Sequence, residues 1–158
     1  MNAKFPIITV SGAQSGIGKT IVIEELLKRL QDWSALKVTV MHSGSCPTSR
    51  DCGACDKFAS DFLIADGKKI LSEGKDTHRF KKAGAQKVLW LRSRPEALKR
   101  GLVNVLSKFD DAKGLIIEST SALKYLKPDL AIFVIKKDSI LKPSAQAILK
   151  RIDLVVTM

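Results

Sequence analysis

Residues 13–20 read Ala-Gln-Ser-Gly-Ile-Gly-Lys-Thr. The stretch fits the pattern Gly/Ala-x-x-x-x-Gly-Lys-Ser/Thr, which is typical of a loop that binds the phosphates of a nucleoside triphosphate. Glycines let such a loop curl until successive backbone N–H groups point at anionic oxygens. We expect Lys19 to reach the β- and γ-phosphates and Thr20 to offer its hydroxyl to Mg²⁺. The residues predicted to surround the phosphates are Ala13, Gln14, Ser15, Gly16, Ile17, Gly18, Lys19 and Thr20.

The flanking sequence favours this interpretation over an ordinary glycine-rich turn. Residues 5–10 form a short apolar run rich in β-branched side chains, as expected of a buried strand. Residues 21–31 carry apolar side chains at helical spacing, with most charged residues on the other side. Strand, glycine loop and helix follow one another in the order that the phosphate-binding motif requires.

Apolar runs and helical patterns alternate along the rest of the chain, as in a parallel α/β sheet. Further strands are predicted over residues 36–41, 86–91, 115–117, 129–135 and 154–156. Helices are predicted after Ser93, which is placed to cap one, and over residues 143–150. The expected fold is a three-layer P-loop NTPase fold of the α/β class, with a mostly parallel, doubly wound sheet. One domain is expected over residues 1–158, with a cysteine-containing insertion at about 42–75.

The chain is strongly basic, with 27 lysines and arginines against 16 acidic residues and a net charge of +11. Such a surface attracts anions, nucleotides included. The basic residues are spread along the chain without an aromatic-studded stripe, so the pattern does not favour nucleic-acid binding. No apolar stretch approaches the length of a membrane helix and no signal peptide is recognisable, which favours the cytoplasm.

Two carboxylates are candidates for the Mg²⁺ site and for catalysis together with Lys19. Glu118 ends the apolar run 115–117, and the carboxyl end of a parallel strand faces the nucleotide crevice. Asp76 could organise Mg²⁺ together with Arg79, whose guanidinium could neutralise phosphate charge. The alternatives are that Glu118 is simply exposed and that Asp76 caps a short helix ending at Gly84.

The segment around Asp76 also resembles the molybdopterin-guanine dinucleotide biosynthesis protein B (MobB) family. That family combines an N-terminal phosphate loop with a Gly-Lys-Asp-Ser/Thr-x-Arg stretch leading into Ala-Gly-Ala, and with an apolar strand that ends in Glu. The matching residues here are Gly74, Lys75, Asp76, Thr77, Arg79, Ala83, Gly84, Ala85 and Glu118.

The resemblance implies a GTP-binding, slowly hydrolysing homodimer that assists the attachment of GMP to molybdopterin together with a guanylyltransferase partner. Lys19 and Thr20 would then bind phosphate and Mg²⁺, while Asp76 and Glu118 would belong to the metal and hydrolysis site. GTP is the nucleotide that the family implies; the residues themselves leave ATP open.

A second candidate site lies in the insertion, where three cysteines and a histidine fall close together: His42, Cys46, Cys52 and Cys55. The Cys-x-x-Cys spacing lets two thiolates bind one ion, and all four residues could complete a tetrahedral Zn²⁺ site. An Fe–S cluster completed by a dimer mate and three free or redox-active thiols are the alternatives.

Two other functions share the phosphate loop. In a nucleotide-gated metal-binding chaperone or metal-insertion ATPase, the cysteine segment would carry the metal. In a small-molecule P-loop kinase, arginines would cover an acceptor, although no residue pattern points to one.

Overall fold

The computed structural model describes residues 4–41, 60–67, 75–137, 141 and 146–158. Seven strands lie within these stretches: β1 (Ile7–Gly12), β2 (Ser34–Val40), β3 (Phe62–Ala65), β4 (Val88–Ser93), β5 (Leu115–Glu118), β6 (Leu130–Ile135) and β7 (Leu154–Thr157). The α-helices in the same stretches are α1 (Lys19–Arg29), α2 (Asp76–Lys82) and α3 (Leu98–Leu106).

The seven strands form one sheet in the order β3-β4-β2-β5-β1-β6-β7. Every neighbouring pair is parallel except β3 and β4, which are antiparallel. The chain first builds the sheet on one side of β1 and then crosses over to add β6 and β7 on the other side. A doubly wound sheet of this kind has its ligand crevice at the carboxyl ends of the strands where the winding reverses. The predicted α/β class with a mostly parallel sheet is confirmed.

Apolar side chains cover both faces of the sheet, which gives three layers. On one face the core includes Ile23 and Leu27 of α1 and Phe80 of α2, all almost fully buried. On the other face it includes Leu102 and Val105 of α3. Both faces of the central strands are therefore buried, so these strands form apolar runs that the sequence reveals.

The strand β3 was not predicted, because it lies inside the segment expected to be irregular. It pairs with the edge of β4, with Phe62 opposite Ser93. Two backbone hydrogen bonds meet at the end of β4: Met41 N–H donates to Ser93 O, and Arg94 N–H donates to Asp61 O, at 2.9 and 3.0 Å. The chain thus leaves β2 and re-enters at β3 beside the same two residues.

The predicted cap at Ser93 is wrong. Ser93 is the last residue of β4, and its hydroxyl donates to the carbonyl of Arg94. A short 3₁₀ turn, Pro95–Ala97, separates the strand from α3. The helix predicted over 143–150 falls partly outside the described residues, and its last part is one 3₁₀ turn, Leu149–Arg151.

Candidate nucleotide-binding site

The loop between β1 and α1 has the backbone that the motif requires. Gly16 and Gly18 have φ angles of 75° and 101°, a region that favours glycine. Side chains at the two ends of the loop anchor it, because Ala13 and Ile17 are buried in the core. Residues 14–16 are exposed at the carboxyl end of β1, where phosphate groups can approach the backbone.

The start of α1 is suited to an anion. Its N-cap residue is Gly18, without a side-chain hydrogen bond to the helix, and the first turn carries no acidic residue. The N–H groups at this end therefore keep their partial positive charge available to a ligand.

Lys19 lies over the loop, where its ammonium group donates to Gln14 O at 2.9 Å. Burial lowers the pKa of Lys19, and the nearby Lys37 charge lowers it further, while the Glu118 and Asp76 carboxylates oppose the shift. The lysine ammonium is thus partly stripped of water beside the loop, which strengthens its attraction to a phosphate.

Asp76 lies beside Thr20, although 56 residues separate them in the chain. Thr20 Oγ1 donates to Asp76 Oδ1 at 2.9 Å. Asp76 is the first residue of α2, the N-cap position belongs to Lys75, and no side chain caps the helix. The structure therefore places the Asp76 carboxylate against the phosphate-loop threonine.

A residue that the sequence analysis did not single out, Lys37 of β2, lies between the two candidate carboxylates. Its ammonium donates to Asp76 Oδ2 and lies 3.8 Å from Glu118 Oε2. Burial would raise the pKa of Asp76, but the bonds and charge of Lys37, with help from Thr20 and Arg79, hold it below its usual value. The signal that could have found Lys37 is a charged residue in the middle of an otherwise apolar central strand.

Glu118 ends β5 in the register expected of a site residue, opposite Val10 of β1 and Lys37 of β2. Its side chain is only 10% exposed, and Oε2 has no hydrogen-bond partner among the described residues. Burial raises the pKa of Glu118, partly offset by the charge of Lys37. Glu118 is thus a buried carboxylate with a free oxygen, which can accept a proton or a further ligand.

The segment that follows Glu118 is bonded to the first turn of the loop. Ser119 N–H donates to Val10 O at 3.1 Å, and the Thr120 hydroxyl lies 3.4 Å from Gly12 N and 3.3 Å from Gly12 O. These contacts hold the end of β5 at a fixed position relative to the phosphate loop. No sequence motif marks Thr120 as a residue of this site.

Arg79 points toward α1. Its guanidinium forms two hydrogen bonds to the Glu24 carboxylate, at 2.8 and 2.6 Å. This two-point contact joins α2, which carries Asp76, to α1, which carries Lys19 and Thr20. The role of Arg79 in phosphate binding stays a prediction.

The donor set of Thr20, Asp76 and Glu118 fits Mg²⁺. All three residues present oxygen atoms, which this ion prefers, and the ion usually takes its remaining ligands from phosphates and water. The unpartnered Glu118 Oε2 supplies an oxygen that the protein itself does not use. Within the described part of the chain, no three His, Cys, Asp or Glu side chains form a metal-binding group.

The proposed zinc or iron–sulfur ligands His42, Cys46, Cys52 and Cys55 lie outside the described residues. Their role stays a prediction. Among the helices that the structure describes, none has the length and apolar character needed to span a membrane.

Comparison with known proteins supports the fold. No protein-family model matches the chain, and no curated protein matches it. Among solved structures, the chain is similar to LpxK from Aquifex aeolicus, a P-loop kinase determined in complex with ATP, with a TM-score of 0.57 and 19% identity. The match covers 98% of this chain and 48% of LpxK, so the chain spans about half the length of that protein. The chain therefore has an α/β fold similar to that of LpxK.

Proposed function

We propose that the protein binds a nucleoside triphosphate together with Mg²⁺ and slowly hydrolyses the terminal phosphate. The observation that carries this proposal is the 2.9 Å hydrogen bond between Thr20 Oγ1 and Asp76 Oδ1. It joins the one loop residue whose hydroxyl serves a metal ion in this motif to a carboxylate from a distant segment. A glycine-rich turn without a nucleotide would need no such partner.

The chain's own groups have separate roles in this proposal. The loop N–H groups and the amino end of α1 bind the phosphate oxygens, and Lys19 places an ammonium against the terminal phosphates. Glu118 orients the attacking water and accepts its proton, a role suited to a buried carboxylate with a raised pKa. In the reaction, a bond forms between the water oxygen and the terminal phosphorus, and the bridging P–O bond breaks. The products are inorganic phosphate and the nucleoside diphosphate.

Thr20, Asp76 and Glu118 would hold the Mg²⁺ ion, directly or through its water. When bound, the ion neutralises negative charge on the terminal phosphates.

The finer proposal is a GTP-binding accessory protein of molybdenum-cofactor maturation, a homodimer that works with a guanylyltransferase. Support comes from the segment 74–85, on which the resemblance to the MobB family rests. Its Asp76 lies at the phosphate loop, and its Arg79 ties the segment to α1. A segment that served only to cap a helix would not need these contacts.

Titration calorimetry with GTP and with ATP, each with Mg²⁺ or with EDTA, tests both levels of the proposal. We expect triphosphate binding that weakens in EDTA, and a preference for GTP. Failure of both nucleotides to bind would overturn the proposed function. Binding with a preference for ATP would overturn only the GTP assignment.

A small-molecule kinase is the second candidate, because the chain shares its fold with LpxK, whose structure contains ATP. A kinase transfers the phosphate to an acceptor and protects it from water, so turnover without an acceptor should be very slow. Phosphate release with no acceptor present therefore separates the two functions. Steady phosphate release favours the accessory GTPase. Formation of nucleoside diphosphate only with an added hydroxyl compound, with the phosphate transferred to that compound, favours the kinase.

A further inference from the structure

Lys37 is a charged residue in a place where charges are costly. It lies in the middle of β2, with β4 on one side and β5 on the other, and its side chain is 23% exposed. A lysine at such a position is stabilised only by opposite charges. Both opposite charges that the structure brings to it, Asp76 and Glu118, are candidate Mg²⁺ ligands.

One ammonium group therefore occupies the space between the carboxylates that the ion would use. The Lys37 ammonium bonds to Asp76 Oδ2, while Asp76 Oδ1 accepts from Thr20. On the other side it lies 3.8 Å from the free oxygen of Glu118. A divalent ion at these oxygens and an ammonium group at the same oxygens would repel each other strongly.

The charges in the site balance without a metal ion. Two carboxylates, Asp76 and Glu118, face two ammonium groups, Lys19 and Lys37, while the nearby Arg79 guanidinium is paired with the Glu24 carboxylate. An added Mg²⁺ ion alone would leave an excess of positive charge in a partly buried space, which is unfavourable. A triphosphate brings several negative charges and can accept the displaced ammonium groups.

We propose that Lys37 is an internal counter-ion that competes with Mg²⁺ for Asp76 and Glu118, so that the ion enters only together with the triphosphate. This inference rests on the proposed function, since it concerns the same site. It assigns to Lys37 a positioning role: the lysine holds the carboxylates in place while the site is free of nucleotide. It also makes metal binding conditional on the nucleotide.

Electron paramagnetic resonance of Mn²⁺, added to nucleotide-free protein, tests the competition directly. We expect wild-type protein to bind Mn²⁺ weakly and Lys37→Met to bind it on the order of tenfold more tightly, since one competing charge is removed. Lys37→Arg, which keeps the charge, should bind as weakly as the wild type. Lys28→Met removes an exposed lysine paired with Glu25 on α1 and should change nothing.

Adding Asp76→Asn to Lys37→Met should remove the gained affinity, which would locate the ion at this site. Equal Mn²⁺ affinity in wild type and Lys37→Met would overturn the inference, as would a gain that survives Asp76→Asn. Since these titrations contain no nucleotide, they remain readable if triphosphate binding, and with it the proposed function, fails.

If Lys37→Met does not fold, nuclear magnetic resonance of the lysine side chains in the wild type tests the same competition. The Lys37 Nζ signal should stay in place when Mg²⁺ is added alone and should shift when Mg²⁺ and triphosphate are added together. A shift with Mg²⁺ alone, or no shift in either case, would contradict the competition.

Discussion

In the proposed function, phosphate binding depends on Lys19 more than on any other side chain. Its ammonium lies beside the loop and its surroundings are partly dehydrated, so each hydrogen bond it donates to a charged phosphate should be strong. We predict that Lys19→Ala weakens triphosphate binding about 100-fold or more. Calorimetric titration measures the change.

The matched control for that measurement is Lys28→Ala, which removes an exposed lysine from the far part of the same helix. Its affinity should equal that of the wild type. If Lys19→Ala bound the triphosphate as tightly as the wild type, the loop would not be the phosphate-binding site.

Glu118 reduces the stability of the protein without ligands. Its buried Oε2 has no hydrogen-bond partner among the described residues, and the Lys37 charge 3.8 Å away offsets only part of the cost of burying the carboxylate, which is about 1–3 kcal/mol for such a group. We predict that Glu118→Gln, which removes the charge, raises the free energy of unfolding by about 1 kcal/mol at neutral pH in EDTA. Hydrolysis should fall in the same variant while triphosphate binding largely survives.

The pH dependence of that difference follows from the direction of the pKa shift. Because burial raises the pKa of Glu118 in the folded protein, the folded state holds the proton at pH values where the unfolded chain has lost it. The free energy of unfolding of the wild type therefore falls as pH rises through this interval. The amount by which Glu118→Gln exceeds the wild type in this free energy should grow. Urea denaturation at several pH values checks this; an advantage that is largest in acid would contradict it.

For some residues, the sequence was sufficient to predict their position relative to the sheet. Lys19, Thr20 and Glu118 could be placed because a loop pattern or a strand end fixes each of them relative to the sheet. Lys37 could be noticed as a charge within an apolar strand, but the carboxylates that it contacts could not be predicted, because they depend on which elements become neighbours of β2. The partner of Arg79, Glu24, was equally hidden, since the contact exists only after two helices pack.

At the scale of elements, the contact between Arg79 and Glu24 joins α2 to α1. Since α2 carries Asp76 and α1 carries Thr20, this contact should help to keep the two halves of the site together. We predict that Arg79→Gln and Glu24→Gln each lower stability, with a coupling energy of about 1 kcal/mol in the double variant. Urea denaturation of the four proteins measures it.

The same pair of variants tests whether Arg79 binds phosphate. If the arginine serves only to join the helices, both variants should reduce triphosphate affinity to a similar degree. If it also reaches phosphate, Glu24→Gln should preserve or improve affinity, because the guanidinium is released, and Arg79→Gln should reduce it. Opposite effects of the two variants on triphosphate affinity would thus support the predicted role of Arg79 in phosphate binding.

The order of elements was predictable where apolar runs are long and buried on both faces. The strands β1, β5 and β6 were placed within two residues of their observed ends. The edge strand β3 was missed, since four half-buried residues inside a polar segment give little periodic signal. The antiparallel direction of β3 depends on where the chain returns, which no local pattern encodes.

At the scale of the whole molecule, binding of the triphosphate should require the complete fold. The site combines residues from β1, α1, β2, α2 and β5, so an unfolded chain cannot form it. We predict that a triphosphate with Mg²⁺ at 100 times its dissociation constant stabilises the protein by about 2.7 kcal/mol. Thermal denaturation with increasing ligand measures this, and Lys19→Ala should show no comparable shift.

The two backbone hydrogen bonds at the end of β4, from Met41 to Ser93 and from Arg94 to Asp61, hold the chain on either side of residues 42–60 at adjacent points. Because β2 and β3 lie on opposite sides of β4, a glycine-containing loop long enough to cross the end of β4 could bridge Met41 and Asp61, at a smaller closure entropy than a longer loop. The resulting miniature would lack every cysteine while retaining all seven strands. A comparison of this shortened protein with the full chain would then separate any reactivity of the thiols from the phosphate chemistry.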